Sequence, residues 1–83
     1  MRKRIVKQKI HNYFAVFDPA EEGGFNVSFP EFMGCVTFGR TFEEAREKAR
    51  EVLELWLEEL HVRGEKIPVK KARPIIDEIE VGV

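Results

Sequence analysis

Apolar and polar residues follow two different periods along the chain, and the change of period separates predicted strands from a predicted helix. Residues 10–17, IHNYFAVF, are rich in aromatic and β-branched side chains and predict a first strand. Residues 25–29, FNVSF, alternate apolar and polar side chains, which is typical of a strand with one buried face. The turn formers DPAEEGG lie between these two runs, so they predict an antiparallel hairpin. A short third strand is predicted over CVTF, residues 35–38, bounded by Gly34 and Gly39.

A long helix is predicted after the three strands. Thr41 is a suitable N-cap, and Glu44 three residues later completes a capping box. From Phe42 onward the apolar residues recur at helical spacing, and Gly64 is a natural stop after Arg63. A helix of about twenty residues is roughly 30 Å long, and it needs a sheet to cover its apolar side.

A last strand is predicted in PIIDEIEVGV, residues 74–83. Every second residue from position 75 to 83 is apolar except Asp77: Ile75, Ile79, Val81 and Val83. The element order is then β-β-β-α-β, which is an α+β fold. A right-handed crossover places the last strand parallel to the first strand and beside it. The predicted four-stranded sheet therefore has the order 3-2-1-4, with the helix packed on one face.

The length of 83 residues predicts one domain over 1–83, with a basic N-terminal arm over 1–9 and a C-terminal extension over 65–83.

A net charge of -1 gives no bulk basic character for nucleic-acid binding. No apolar run approaches the ~20 residues of a membrane span. A single cysteine fits a reducing compartment, so a cytoplasmic protein is expected. The charged fraction of 35% with few amides is typical of thermophile proteins.

Cys35 is the candidate nucleophile of the chain, and His11 and His61 are its candidate bases. No local signature ties either histidine to the thiol, so the favoured interpretation of Cys35 is a small buried core residue. Two distant histidines and one cysteine also lack the spacing of metal ligands. Catalytic residues, metal ligands and cofactors are therefore not predicted.

Acidic side chains are predicted to form a strip on the helix, opposite its apolar side. Such a strip is commonly a solvated face, and it is also suited to bind a basic partner. The candidate partner-binding residues are Glu47, Glu51, Glu54 and Glu58. Asp18, at the end of the first strand, is the one loop carboxylate placed for a metal-dependent nuclease, which needs several converging carboxylates.

The first strand carries large apolar side chains on both faces. A two-layer monomer buries only one of these sets under its helix, so the other set predicts an interface of a homodimer or homotetramer. Two residues on the side of the helix away from the core are a second candidate contact. The predicted interface residues are Tyr13, Phe14, Ala15, Val16 and Phe17 on the strand, with Leu55 and Val62 on the helix.

Short motifs follow one another from about residue 10 to residue 70. FNVSFPEFMGC leads to the helix start TFEEA, then to AREVLELWLEEL and the exit RGEKIP. This ordered set resembles the HicB-like antitoxin family. The matching residues outside the fold signature are Tyr13, Gly24, Val27, Gly64 and Pro68. The fold signature itself comprises Pro30, Gly34, Cys35, Gly39, Thr41, Glu44 and Ala45.

The resemblance implies a truncated ribonuclease-H-like fold in which Cys35 has a structural role. It also implies a non-enzymatic antitoxin that oligomerises and neutralises a small basic mRNA-cleaving toxin, a HicA-like protein. Many members carry a C-terminal DNA-binding domain. The roughly twenty residues after the predicted helix do not accommodate one, so direct DNA binding is not expected from this chain. Two alternatives stay open, namely a metal-dependent nuclease remnant centred on Asp18 and a purely structural oligomer without a toxin partner.

Overall fold

The computed structural model describes residues 11–69 and 73–83, which form a three-stranded sheet covered by one helix. The antiparallel strands lie in the order β1-β2-β3, and α1 packs on one face, mainly against β3 and β2. The predicted α+β class and the 3-2-1 part of the sheet order are confirmed. No helix in the described residues is long and apolar enough to cross a membrane. The elements are β1 (Val16–Pro19), β2 (Phe25–Phe29), β3 (Phe32–Gly39) and α1 (Phe42–Val62).

β1 is shorter than the predicted first strand. It begins at Val16, which is paired with Ser28 of β2. Continuing this register would place Ala15 opposite Phe29, the last residue of β2, and Phe14 opposite Pro30, which has no backbone N–H to donate. The prediction of a strand is therefore wrong for residues 11–15. Residue 10 and the predicted arm 1–9 lie outside the described residues.

β3 is longer than predicted, because it continues through Gly34 to Phe32. Gly34 has a φ of +92°, and the register between β2 and β3 shifts between Ser28 and Phe29. A β-bulge of this kind is commonly formed by a glycine with positive φ. The prediction that Gly34 bounds the third strand is therefore wrong. Instead, the irregularity at Gly34 lets both Phe32 and Cys35 reach the buried core.

Both ends of α1 are capped at the predicted residues, although the described residues form only the Thr41 half of the predicted capping box. The Oγ1 atom of Thr41 accepts a hydrogen bond of 3.1 Å from the backbone N–H of Glu44. At the other end Gly64 has a φ of +74°, and the N–H of Glu65 donates to the carbonyl of Leu60 at 2.9 Å. This is the Schellman pattern, which satisfies the last carbonyl groups of a helix. These caps fix a helix of 21 residues, about 31 Å long.

The core lies between α1 and the face of the sheet that it covers. Val27 and Phe29 of β2 are buried there, while Asn26 and Ser28 are exposed on the other face, as the alternation predicted. α1 approaches the sheet closely at Gly39, where an added Cβ would meet the backbone of Ala45 and lie 2.8 Å from its Cβ. The buried apolar residues are Val27, Phe29, Phe32, Cys35, Ala45 and Ala49.

The predicted last strand is not formed in the described residues 73–83. We call residues 74–83 the arm from here on; the predicted N-terminal arm 1–9 is a different segment. A strand needs a neighbour to satisfy its backbone groups, and the arm is paired with none of the strands in residues 11–69. Residues 74–83 therefore do not occupy sheet position 4, which corrects the predicted order 3-2-1-4, and β1 lies at the edge of the sheet that the described residues form. Five apolar side chains of the arm are each at least 74% exposed: Ile75, Ile76, Ile79, Val81 and Val83.

Candidate protein-interaction surfaces

An acidic strip runs along the solvent side of α1. Ala45 and Ala49 turn the opposite side of the helix toward the sheet, so the strip faces water. Within the described part of the chain, the two ion pairs join Arg63 to Glu59 and to Glu65, and neither involves the strip. The strip therefore offers its carboxylates to solvent. Its members are all exposed: Glu47, Glu51, Glu54 and Glu58.

The predicted oligomer residues lie on three different surfaces. Three of them, Tyr13, Ala15 and Phe17, are partly buried and pack against the core. Phe14 and Val16 are half-buried and belong to the opposite parity of the same segment. The two predicted residues on α1, Leu55 and Val62, are exposed. The structure thus does not bring the seven residues together on one surface.

The outer face of the sheet, away from α1, carries exposed apolar side chains. Val36 and Phe38 of β3 are 61% and 42% exposed. They line a shallow depression of about 500 Å³ together with Asp18, Asn26 and Ser28. We call this surface the outer sheet face. An exposed apolar surface of this kind is a candidate contact for another protein.

Cys35 is fully buried beneath α1, and both histidines, His11 and His61, are exposed. Burial raises the pKa of the Cys35 thiol above its ordinary value. A nucleophilic cysteine needs the opposite shift, because the thiolate is the reactive form. The environment of Cys35 therefore matches that of a structural core residue.

We expect Cys35→Ala to lower the free energy of unfolding by on the order of 1 kcal/mol and to leave partner binding unchanged. Wild-type stability should also decline with pH above the ordinary cysteine pKa of about 8.5. The folded chain holds the thiol proton more tightly than the unfolded chain does. The stability that comes from this difference is complete below the unfolded-state pKa and is lost as the pH rises through the higher folded-state pKa. Urea unfolding of both proteins from neutral to alkaline pH measures the difference. A variant with a normal fold but without partner binding would instead show that the thiol has a functional role.

Asp18, the candidate centre of the nuclease alternative, is exposed at β1 near the sheet edge. In residues 11–69 and 73–83, no group of three or more His, Cys, Asp or Glu side chains is close enough to hold a metal ion. The acidic residues of the first hairpin loop, Glu21 and Glu22, are exposed as well. The described residues therefore do not assemble carboxylates around Asp18.

Glu31, in the turn between β2 and β3, was not identified from the sequence. Both of its carboxylate oxygens are buried and have no hydrogen-bond partner in the part of the chain that the structure describes. Nearby, Tyr13 donates a hydrogen bond of 2.8 Å to the carbonyl of Pro68. Burial raises the pKa of Tyr13, and the charge of Glu31 raises it further. The turn sequence around Pro30 gave no signal that a buried carboxylate lies next to a tyrosine.

A groove of about 690 Å³ separates residues 11–17 from α1. It exists because α1 packs mainly on β3 and β2 and leaves the helix-facing side of β1 partly uncovered. We call it the α1–β1 groove. Aromatic and aliphatic side chains form its floor, and charged residues of the first turns of α1 form its rim. Its lining includes Tyr13, Ala15, Phe17, Phe29, Leu53, Glu43, Arg46, Glu47 and Arg50.

These features define a small two-layer α+β protein whose prominent surfaces are an acidic helix, an apolar sheet face and an open sheet edge. The sequence profile of the HicB_like antitoxin of bacterial toxin-antitoxin system matches residues 13–80. The chain therefore belongs to the HicB-like antitoxin family, as its motifs predicted.

Individual relatives agree with this assignment. A UPF0150 protein of Synechocystis sp. is 39% identical over 61 residues, which cover 74% of this chain and 84% of the relative. A second UPF0150 protein of the same organism is 31% identical over 64 residues, covering 77% of this chain and 81% of the relative. Antitoxin HicB 1 of Photorhabdus laumondii is 42% identical over 57 residues, which cover 69% of this chain and 37% of that protein.

Proposed function

We propose that the protein is a non-catalytic antitoxin that oligomerises and neutralises a small, basic, mRNA-cleaving toxin. Membership of the HicB-like antitoxin family supports a role in a toxin–antitoxin system. The similarity to a protein named as an antitoxin supports the same role. The buried thiol, the exposed histidines and the isolated Asp18 favour binding over catalysis.

The acidic strip is the observation that carries this proposal. A toxin that cleaves RNA needs a basic surface to hold phosphate groups. Glu58 follows Glu47 by eleven positions of α1, so the strip extends about 16 Å along the helix. Like charges at i, i+4 repel each other by a few tenths of a kcal/mol per pair, and a basic partner relieves this repulsion. The strip thus offers a row of carboxylates where the toxin would otherwise hold RNA.

We also infer that the active form is a homo-oligomer with a truncated ribonuclease-H-like fold. The outer sheet face is the better supported of its candidate contacts, because Val36 and Phe38 are exposed there and Val16 lies on the same face, across Ser28 from Val36. Leu55 and Val62 remain the second candidate contact. A fourth strand beside β1 would complete the fold that the family resemblance implies.

Charge reversal of the strip tests toxin capture. In the triple variant Glu47→Lys, Glu51→Lys and Glu54→Lys, we expect association with a purified HicA-like toxin from the same genome to slow at least about tenfold. The thermal midpoint should change little, because all three side chains are exposed. Stopped-flow or surface-based kinetics at several salt concentrations measure the rate. The attraction should weaken with salt, since the Debye length is about 8 Å at physiological ionic strength.

A matched control places the same six-unit charge change elsewhere. Glu21→Lys, Glu22→Lys and Glu65→Lys lie in the first hairpin loop and after α1, where all three side chains are exposed. Their effect on the association rate should be clearly smaller than that of the strip variant. Equal effects of the two triple variants would indicate that the association rate depends only on net charge. Unchanged kinetics in the strip variant would place the toxin site away from the strip.

A further inference from the structure

The α1–β1 groove lies beside β1, whose outer edge is paired with none of the described strands. Among residues 11–69 and 73–83, β1 is paired with β2 on one side only, so these residues leave the backbone groups of its other side to another strand. The groove lies between residues 11–17 and α1, so it follows the segment before β1 and reaches β1 at Phe17. A strand added to β1 would therefore bury its helix-facing side chains in the groove.

The arm has the composition of the missing strand. Its apolar side chains Ile75, Ile79 and Val81 share one parity and are exposed to solvent. β-Branched residues favour strands, and exposed aliphatic side chains gain most when they leave water. Ten extended residues span about 33 Å, which is enough to follow the whole of β1 and the segment before it.

We propose that the arm of one copy adds to the β1 edge of a second copy and fills its α1–β1 groove, so that two chains exchange arms. This inference specifies the homo-oligomer proposed above, and it does not depend on a toxin. In each copy the arm supplies the fourth strand of its partner's sheet. The occupant of the groove is thus residues 74–83 of an identical chain.

The shape of the single chain favours a second copy as the acceptor of the arm. The radius of gyration is 16.7 Å, whereas a compact chain of this length has about 12 Å. The molecule is 69 Å long and only 28 Å and 22 Å across. At the base of the arm, the guanidinium carbon of Arg73 lies 5.8 Å from the ring centre of Phe14. The arm beyond it is exposed and leaves its own groove open, which is the arrangement that precedes domain exchange.

Charge also matches the arm to the groove. Between residues 74 and 83 all charged side chains are acidic: Asp77, Glu78 and Glu80. Arg46 and Arg50 stand on the groove rim, next to Glu43 and Glu47. Asp77 lies on the same side of the extended arm as the apolar residues Ile75 and Ile79. When these residues fill the groove, Asp77 therefore also points toward α1. An arginine on the rim gives this carboxylate a partner, and that pairing explains this interruption of the apolar side.

Crosslinking between two single-cysteine proteins tests the exchange. In a Cys35→Ala background, one protein carries Ala15→Cys in the groove and the other carries Ile79→Cys in the arm. The two are unfolded, refolded together and treated with a short bis-maleimide. We expect a covalent dimer that contains one chain of each variant as the main product. Arg50→Cys on the groove rim replaces Ala15→Cys if that variant does not fold.

The control and the alternatives use the same reagent. Met33→Cys, whose side chain is 96% exposed on β3, should give far less crosslinking to Ile79→Cys than the groove position gives. A double variant that joins its own arm to its own groove, and remains monomeric by light scattering, would overturn the exchange. A dimer without any arm-to-groove crosslink would also overturn it, while the outer sheet face would stand as the oligomer contact. No toxin is present, so neither result changes the proposed role in toxin capture.

Discussion

Replacing Gly39 with alanine is expected to destabilise the protein by at least about 3 kcal/mol, a large part of the stability of a chain of this size. The added Cβ would meet the backbone N and Cα of Ala45, which is fully buried. Backbone atoms cannot change rotamer, so α1 would have to move away from β3. Chemical denaturation followed by circular dichroism measures the loss.

Gly82→Ala is the matched control for this substitution. An added Cβ at Gly82 has no heavy atom within 4 Å among the described residues, and its φ is not in the left-handed region. Its effect on stability should stay within about 0.5 kcal/mol. A Gly39→Ala protein as stable as the control would show that α1 and β3 are separated more widely than the structure indicates.

Phe32→Ala is expected to cost about 3–5 kcal/mol, the usual range for the loss of a buried aromatic side chain. The Phe32 ring lies between Tyr13 and Trp56, with centroid separations of 5.2 Å and 6.2 Å, and it is only 5% exposed. Its removal opens a cavity where β3, α1 and residues 11–15 meet. Urea unfolding monitored by circular dichroism measures the cost, and the fluorescence of Trp56 should shift to longer wavelength because water reaches the indole ring.

The neighbouring residue provides the control, because Met33 is also apolar but 96% exposed. Met33→Ala should change the free energy of unfolding by no more than about 0.5 kcal/mol. Similar costs for the two substitutions would mean that the side chains of Phe32 and Met33 are not on opposite sides of β3.

Local features of the fold were predictable because their causes lie within a few residues. The N-cap at Thr41 depends on a hydroxyl and on an N–H three positions later, and both are visible in the sequence. The stop at Gly64 depends on one residue with positive φ. The alternation of β2 shows which of its faces is buried. Each of these predictions is confirmed.

Features that depend on distant neighbours were not predictable. Gly34 and Gly39 look alike in the sequence, yet Gly34 supplies a positive φ inside β3 and Gly39 supplies room for α1. The length of β1 depends on where β2 ends, and its own residues do not show this. The arm has the pattern of a strand, but a pattern does not supply the neighbour that a strand needs.

The candidate site divides in the same way. Helical periodicity was enough to place Glu47, Glu51 and Glu54 on one exposed side of α1, since periodicity alone determines which way a helical residue points. The burial of Glu31 depends on how the turn between β2 and β3 lies in the fold, and the α1–β1 groove depends on which strands α1 covers. Neither follows from spacing along the chain.

In the proposed exchange, the arm and the β1 edge also determine how many partners each chain has. With one donor segment and one acceptor edge, a chain is a bivalent unit. Two such units that exchange reciprocally close into a finite dimer, whereas exchange with a different neighbour at each end builds an open polymer. A closed dimer uses both arms and both β1 edges within one pair of chains. Slow refolding at low concentration therefore favours the closed dimer. Rapid refolding at high concentration favours the open chain and exposes the preparation to gelation or fibre growth.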